Sequence, residues 1–268
     1  MSEGQISGIS MMFGRIALMR LNQRLVRHAH EDCHLLIKIG GSNATFDVAD
    51  RLYPLDDRNV ILVNAWDQHS FKPSSLGSDT VLLVLYLHPS WLLTATGSRG
   101  FTSGSLKLPA KLRDLTYRLS HDLAVSRTQA IDISSHITET IEMLRHERSW
   151  QDWTPPSHVD YRIQKALRVL RNPDDPTVNS KRLASILGVS RPHLFELFRN
   201  GIGLTPKIYQ DTVRMERAIV ALIRSDLRID EIAWDLGFSA PSNFTRFFLS
   251  HVGVTPQQFR HGLLWAPR

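Results

Sequence analysis

The chain of 268 residues is long enough for two domains that each bury a core. Its one cysteine, Cys33, rules out an internal disulfide, and its longest apolar run, Val81 to Leu87, is far too short to span a bilayer. The net charge of +6 lies entirely in the later part of the chain, because residues 157–268 hold 16 basic and 10 acidic side chains while residues 1–156 hold 16 of each. These features predict a cytoplasmic protein, without a membrane partner, whose basic part approaches nucleic acid.

Residues 1–104 are predicted to form a small antiparallel β-barrel with an N-terminal arm. The residues up to Gly14 have no apolar periodicity, which predicts a mobile arm. Short segments rich in Val, Ile and Leu follow, separated by turn residues: 15–19, 34–39, 44–48, 51–55, 59–63, 69–71 and 80–86. Closely spaced strands of this kind favour a barrel or jelly roll, which is a natural container for a small ligand.

Four histidines stand out in the predicted barrel. His28, His30 and His34 lie at the start of one strand, and His69 comes after a later one. Their order resembles the two cupin motifs, in which histidines distant in sequence converge on one metal ion. Imidazole nitrogens suit Zn, Fe, Cu or Ni, so a divalent metal site is one interpretation, and core packing or hydrogen bonding to an effector is the other. Trp66 is a further candidate for the effector pocket, although buried aromatic side chains are commonly plain core.

Residues 105–148 change to a helical pattern. Leucine and isoleucine recur at steps of three and four residues, at Leu112, Leu115, Leu119 and Leu123 and then at Ile133, Ile137, Ile141 and Leu144. Two helices with such apolar faces can either cover the barrel or form the seam of a dimer. Residues 149–158 form a predicted linker, stiffened by two adjacent prolines, and a further amphipathic helix is expected over about 159–171.

Residues 159–268 contain one pattern twice. The first copy comprises Leu183, Ala184, Leu187, Gly188, Ser190, Leu194, Phe198, Gly203, Thr205, Pro206 and Tyr209, and the second comprises Ile232, Ala233, Leu236, Gly237, Ser239, Phe244, Phe248, Gly253, Thr255, Pro256 and Phe259. The second copy carries one extra residue between its serine and Phe244. Two copies indicate a duplicated unit, at about 181–200 and 229–250.

Each copy is typical of two helices joined by a tight turn. Gly188 and Gly237 supply the positive φ that ends the first helix, and Ser190 and Ser239 are positioned to cap the second. In such a helix-turn-helix the second helix enters the major groove of DNA. A threonine-proline pair after each unit starts another helix, and the one beginning at Pro206 is expected to run for roughly 30 Å, close to the ~34 Å of one DNA turn. Two recognition helices that far apart can read successive major grooves.

The second helix of each copy has one apolar and one polar face. The polar side chains are predicted to contact DNA, and they are Arg191, His193, Glu196, Arg199, Ser242, Asn243 and Arg246. Arg191 and Arg246 are expected to reach either guanine or phosphate. Glu196 stands where copy two has Arg246, and we expect it either to accept a hydrogen bond from cytosine or to orient Arg199.

Three segments of the second copy carry a family resemblance. Ile229 to Ser239, Phe244 to Phe248 and Gly253 to Arg260 resemble the signature of AraC/XylS-type transcription regulators. The resemblance implies an α+β protein: a cupin-like barrel with two following helices, then an all-α domain of about seven helices with two helix-turn-helix units. It also implies an effector-responsive regulator, usually an activator, with operator DNA, RNA polymerase, a small molecule and a second copy of the chain as partners. Cupin-like domains of such regulators often keep these histidines without metal, so no cofactor is expected.

Two other functions fit parts of the sequence. A metal-dependent cupin enzyme, such as a dioxygenase or isomerase, would use the four histidines, but it leaves the basic duplicated unit unexplained, and the sequence has no Gly-rich phosphate loop or Ser-centred elbow. A non-specific architectural DNA protein suits the charge but not two capped recognition helices. The sequence therefore favours a ligand-responsive transcription regulator that is not an enzyme.

Overall fold

Strands occupy the first part of the chain and helices the last. The computed structural model describes residues 5–124, 133–146 and 160–265. The strands are β1 (Gln5–Met11), β2 (Gly14–Leu21), β3 (Cys33–Gly41), β4 (Ala44–Val48), β5 (Arg51–Leu55), β6 (Asn59–Val63), β7 (His69–Pro73), β8 (Thr80–Leu87), β9 (Gly104–Lys107) and β10 (Leu263–Trp265). The helices are α1 (Pro89–Thr96), α2 (Ala110–Ala124), α3 (Ile133–Arg145), α4 (Tyr161–Leu170), α5 (Ser180–Leu187), α6 (Arg191–Ile202), α7 (Pro206–Arg224), α8 (Ile229–Asp235), α9 (Pro241–Val252) and α10 (Pro256–Gly262).

Two sheets form the N-terminal barrel. The larger has the order β10-β1-β2-β8-β3-β6-β9, and the smaller has the order β5-β4-β7. Successive side chains of a strand point to opposite faces, so the residues of β3 and β8 divide between two cores. Leu36 and Val84 face the barrel interior, whereas Leu35, Ile37 and Leu83 face outward into a second buried cluster. The larger sheet is therefore covered on both faces, which explains why its central strands are mainly apolar.

The first strand corrects the expectation of a mobile arm. Residues 5–11 form β1, which pairs with β2 along its whole length, from Gln5 opposite Arg20 to Met11 opposite Gly14. Glycine and serine in this segment hide the apolar alternation that normally identifies a strand. Backbone pairing with β2 holds this segment in the strand conformation. Helix α1 and strand β9 are likewise elements that the sequence pattern did not predict.

Helices α2 and α3 cover the outer face of the larger sheet. Their apolar positions are buried in the same cluster as Leu35 and Ile37: Leu112, Leu115, Leu119, Leu123, Ile133, Ile137, Ile141 and Leu144. Of the two interpretations of this apolar face, packing on the chain's own barrel is the one found. The predicted linker, residues 149–158, lies outside the described part of the chain.

The C-terminal part has seven helices, α4–α10, with the two helix-turn-helix units at α5–α6 and α8–α9. Ser190 caps α6 as predicted, since its hydroxyl accepts a hydrogen bond from the His193 amide at 3.3 Å. Helix α7 spans 19 residues, which corresponds to roughly 28 Å. The expected cap at Ser239 is wrong: α9 begins at Pro241 after Ala240, without a side-chain cap. The extra residue of copy two moves Ser239 out of the capping position.

The two parts of the chain share backbone and side-chain contacts. Strand β10, which follows the last helix, pairs in parallel with β1 of the barrel. One continuous apolar cluster joins barrel residues such as Leu36 to Phe248 of α9 and Phe259 of α10. Within the described ranges, every helix is too short or too polar to cross a membrane. The helical domain is thus packed directly on the barrel.

Candidate functional sites

The predicted DNA-contacting side chains lie on helices α6 and α9. Leu194, Leu197 and Phe198 hold α6 by its buried face, and Phe244 and Phe248 do the same for α9. Six of the seven predicted side chains are exposed on the opposite faces, and they are Arg191, Glu196, Arg199, Ser242, Asn243 and Arg246. His193, the seventh, is partly buried. The structure thus places these residues where a DNA duplex can reach them, and their contacts with DNA remain predictions.

His193 is part of a small polar network at the start of α6. The guanidinium of Arg162 donates to His193 Nε2 at 3.1 Å, and His193 Nδ1 lies 3.6 Å from the carboxylate of Glu196. The second contact differs from the expectation that Glu196 would orient Arg199. In α9, the Asn243 amide donates to the Ser239 hydroxyl at 3.0 Å. Both recognition helices therefore present pre-arranged polar groups.

A cavity of about 370 Å³ lies between the barrel and the helical domain. Barrel side chains such as Met19, Leu36, Leu82 and Val84 form its inner wall. The facing wall belongs to the helical domain: Thr212, Met215, Glu216, Ile219 and Val220 of α7, with His251 and Val252 of α9. The sequence predicted a container inside the barrel, but it gave no indication that α7 and α9 would close it. The cavity is consequently in contact with both domains.

The four predicted histidines meet at one end of this cavity. His30 Nε2 lies 3.2 Å from His69 Nε2, and the His34 ring centroid lies 3.9 Å from that of His30. The His28 ring centroid is 4.3 Å from that of His69. His251, which the sequence did not single out, adds a fifth ring 5.8 Å from His28. The structure therefore brings together all four residues that the sequence grouped.

Burial keeps these imidazoles neutral. It lowers the pKa of His28, His30 and His34 well below the ordinary value, and the neighbouring imidazoles lower it further. Burial also lowers the pKa of His69 to about 4, although the hydrogen bond to the Asp67 carbonyl opposes this shift. Because a charged imidazole is costly to bury, each ring is a neutral hydrogen-bonding group or ligand at pH 7.

Two polar side chains elsewhere on the cavity wall, Arg15 and Glu216, differ in their charge at pH 7. The guanidinium of Arg15 lies 4.0 Å above the ring of Tyr86, and its Nε atom is buried without a hydrogen-bond partner among the described residues. Burial raises the pKa of Glu216 to about 8, and the nearby Glu31 raises it further. Glu216 is therefore largely protonated at pH 7, and Arg15, which lies near the carboxyl of Asp32, is a cation on the cavity wall.

Trp66 is not part of this cavity wall, which corrects its assignment to the effector site. Its ring stacks on Tyr209 of α7, with centroids 5.3 Å apart and planes at 20°, and it packs against the core of the first helix-turn-helix unit. The backbone of Trp66 lies in the left-handed region, with a φ of 68°. Trp66 thus belongs to the contact between the domains.

The segment between β2 and β3, residues 22–32, joins the histidines to the helical domain. It carries His28 and His30, and its backbone is hydrogen-bonded to the helical domain before His28 and again between the two histidines. The Val26 amide donates to the Ser250 carbonyl of α9 at 2.9 Å, and the Thr212 hydroxyl of α7 donates to the Ala29 carbonyl at 2.6 Å. The backbone that carries these two histidines is therefore in direct contact with α7 and α9.

Comparison with known proteins agrees with this geometry. Residues 183–262 match a family described as "Helix-turn-helix domain", and residues 14–141 match one described as "AraC-like ligand binding domain". The lactose operon transcription activator of Staphylococcus xylosus is 21% identical over 225 residues, covering 81% of this chain and 80% of the relative. The transcriptional activator RhaR of Shigella dysenteriae is 24% identical over 251 residues, covering 87% of this chain and 86% of the relative.

A solved structure extends the likeness to the whole fold. ToxT from Vibrio cholerae aligns with a TM-score of 0.57 at 12% identity, over 98% of this chain and 99% of that one. The barrel, the paired helix-turn-helix units and the exposed recognition helices define a DNA-binding transcription regulator. The chain belongs to the AraC/XylS family, since the two matched regions span most of it.

Proposed function

We propose that this regulator activates transcription in response to a small molecule held in the cavity between its two domains. The observation that supports this proposal most directly is the composition of the cavity wall, which comes from the barrel on one side and from α7 and α9 on the other. Helix α7 also joins the two helix-turn-helix units. A ligand in the cavity therefore contacts the element that sets the spacing of the two recognition helices.

Control by such a ligand depends on its differential affinity for two arrangements of the domains. An effector shifts DNA binding only by the ratio of its affinities for these arrangements, typically a few kcal/mol or less. Closing the cavity around a ligand would fix α7 against the barrel, because Met215 and Ile219 face the ligand from α7. By reciprocity, operator DNA changes the effector affinity by the same factor.

The cavity wall favours a mainly apolar effector with one acidic group. Ten of the 22 lining side chains are aliphatic or thioether groups and Phe46 is an eleventh apolar one, and together they can contact an apolar ligand body. Arg15 supplies the cation for a carboxylate, and the protonated Glu216 on the same cavity wall supplies a hydrogen-bond donor. A related structure of ToxT, with a TM-score of 0.55 at 13% identity, is described with an unsaturated fatty acid bound.

Activation and the remaining partners are proposed from the relatives. Two relatives are named as transcription activators, and recruitment of RNA polymerase is the usual route to activation that the family resemblance implies. Their regulatory functions also support a role without catalysis. We further propose that the protein acts in the cytoplasm as a homodimer, with the dimer contact on a surface other than the apolar positions of α2 and α3, which are buried within the chain.

A footprint on the DNA upstream of the protein's own gene tests the DNA-reading part. The expected result is protection of two adjacent major grooves on one face of the duplex, with Arg191→Ala and Arg246→Ala each weakening one of them. Protection of one groove, or equal protection of unrelated DNA, would contradict the proposal.

A thermal-unfolding screen tests the effector part. The probes are medium- and long-chain monocarboxylic acids, each matched with its primary alcohol. Acids are expected to raise the unfolding midpoint more than their alcohols do, and Arg15→Met is expected to remove that difference. Ile219→Trp, which fills the cavity from α7, should abolish the response to both. A response to acids that survives Ile219→Trp would place the effector elsewhere.

A further inference from the structure

We infer that His28, His30 and His69 form a binding site for a divalent transition-metal ion of the Zn²⁺ type, with His34 as a fourth nitrogen ligand. The donor set consists of imidazole nitrogens, which suit Zn, Ni, Cu and Fe and do not suit Mg or Ca. This site is distinct in chemistry from the apolar part of the cavity, and it does not depend on the identity of the effector.

The positions of the nitrogen atoms support metal binding. The ligand atoms of His28, His30 and His69 all lie within 4.8 Å of one another. His30 Nε2 and His69 Nε2 are 3.2 Å apart, close to the roughly 3.3 Å that separates two nitrogens on a tetrahedral zinc ion with bonds of about 2.0–2.1 Å.

Backbone carbonyls orient two of the proposed ligands. His28 Nδ1 lies 2.7 Å from the Val26 carbonyl, and His69 Nδ1 lies 2.8 Å from the Asp67 carbonyl. A carbonyl can only accept, so both Nδ1 atoms carry the proton and both Nε2 atoms have a lone pair. Without a metal ion, the lone pair of His69 Nε2 accepts a hydrogen bond from His30 Nε2. Metal-bound histidines are typically held by such a second hydrogen bond, which fixes the tautomer and the ring orientation.

His34 provides independent support for a bound ion at this site. It is 2% exposed, and its Nε2 atom has no hydrogen-bond partner among the described residues. A buried polar atom without a partner costs free energy, so a role in packing alone would favour an apolar side chain at this position. The His34 ring lies 5.1 Å from His69 and 3.9 Å from His30, centroid to centroid, on the same side as the trio.

The site also has a route to the helical domain. His28 and His30 lie in the segment 22–32, whose backbone is hydrogen-bonded to α9 through Val26 and to α7 through Ala29. The backbone of His28 already pairs with that of His69 on β7, and a metal ion would add a link between their side chains. Metal occupancy is therefore expected to change how firmly α7 and α9 are held.

Metal titration of the full chain tests the site. The protein is freed of metal with a chelator, dialysed, and titrated with Co²⁺ and then Zn²⁺ while visible absorption and bound metal are measured. The expected result is one equivalent of Co²⁺ with the absorption of a four-coordinate nitrogen site, displaced by one equivalent of Zn²⁺. X-ray absorption of the zinc-loaded protein should then show three or four imidazole nitrogens, and it needs no variant. Absence of binding, or ligands that are mainly oxygen or sulfur, overturns the inference.

Two variants and a matched control locate the ion. His30→Gln and His69→Gln are expected to weaken Zn²⁺ binding by at least about tenfold, whereas His261→Gln, on the exposed surface of α10, should leave it unchanged. Circular dichroism of the metal-free proteins checks that each variant folds. Unchanged affinity in the folded double variant His30→Gln with His69→Gln would place the ion elsewhere and overturn the inference. Footprints with the metal-free protein test DNA binding separately, so the two proposals can fail independently.

Discussion

The two helix-turn-helix units share a sequence pattern, but they pack against different parts of the chain. The first unit shares its core with α4 and, among the described residues, with two from the barrel side, Ala29 and the partly buried Trp66. The second unit shares its core with the barrel interior, so Phe244 and Phe248 belong to one cluster with Leu36. The two copies are therefore similar helix-turn-helix units that pack in different environments.

This difference assigns unequal roles to the two units. His251 and Val252 of the second unit line the cavity. At the first unit, the barrel side reaches the end of α6 through the hydrogen bond from the Gln68 amide to the Gly203 carbonyl at 2.6 Å, and it reaches the adjoining start of α7 through the stacking of Trp66 on Tyr209. A ligand in the cavity thus contacts the second unit directly and the first only through α7. Effector control is expected to act first on the second recognition helix.

Truncating one buried phenylalanine in each unit has the largest expected effect. Phe198 and Phe248 are both fully buried, and replacing either by alanine should lower the free energy of unfolding by about 3–5 kcal/mol, because it removes apolar contacts and leaves a cavity. Denaturant unfolding followed by circular dichroism measures the loss. Leu76→Ala, at a site 85% exposed, is the control and should change stability by less than about 0.5 kcal/mol.

The same pair of variants tests the comparison directly. Phe248→Ala should also reduce the response to a cavity ligand, since Phe248 belongs to the cluster that includes the barrel interior. Phe198→Ala should leave that response closer to the wild type. Equal loss of the ligand response in both variants would contradict the unequal roles of the two units.

Replacing an arginine of either recognition helix has the next largest expected effect. Arg191→Ala and Arg246→Ala should each weaken operator binding by about 1–3 kcal/mol, because each removes a contact to guanine or phosphate. Binding to a panel of operator variants distinguishes the two contacts: relaxed discrimination at one base indicates guanine, and uniform weakening indicates phosphate. Arg51→Ala, at an exposed position on β5, is the matched control. An arginine whose removal leaves affinity unchanged is not at the interface.

Glu216 predicts a pH dependence that originates at the cavity. Its pKa is raised from 4.5 to about 8 in the folded protein, so the folded state binds the proton more tightly, and stability falls as pH rises from about 4.5 to 8. Glu216→Gln should remove this loss and gain about 1–2 kcal/mol at pH 8.5, a value reduced because the side chain is only partly buried. At pH 4 the variant and the wild type should be equally stable.

Denaturant unfolding at the two pH values measures this effect, with Glu196→Gln on the exposed face of α6 as control. The control should show no gain at pH 8.5. If Glu216→Gln also shows no gain there, the carboxyl is not protonated in the folded protein, and its proposed role as a hydrogen-bond donor to an acidic effector is wrong.

The sequence predicts local structure well where the residues of a single helix or turn determine its conformation. Gly188 ends α5 with a φ of 66°, and Thr205 caps α7 through the Ile208 amide, as the pattern indicated. The AraC/XylS resemblance, the two helix-turn-helix units and the barrel with its following helices are confirmed. One inserted residue sufficed to make the expected cap at Ser239 wrong, because capping requires a fixed spacing from the helix start.

The sequence does not predict contacts between segments that are distant in the chain. Nothing in the pattern of α7 distinguishes Met215 and Ile219, which line the cavity, from other apolar positions of an amphipathic helix. Strand β1 has its order from pairing with β2, so its own residues give little indication of a strand. The grouping of His28 with His69 was predictable because it follows a known motif order, whereas the approach of His251 follows only from domain packing.

Glu196 gives the smallest and most specific test of the comparison between the two units. It occupies the position in copy one that Arg246 occupies in copy two, and its carboxylate lies 3.6 Å from His193 Nδ1 on an exposed face. An exposed pair of this kind contributes within about 1 kcal/mol, so Glu196→Gln should change overall DNA affinity little. If the carboxylate accepts a hydrogen bond from cytosine, the variant loses discrimination at one base pair of the first half-site and at no other. Competition binding with single-base operator variants measures this. Tighter binding to every sequence alike would show that Glu196 only repels phosphate, and the first unit would then read DNA through its arginines alone.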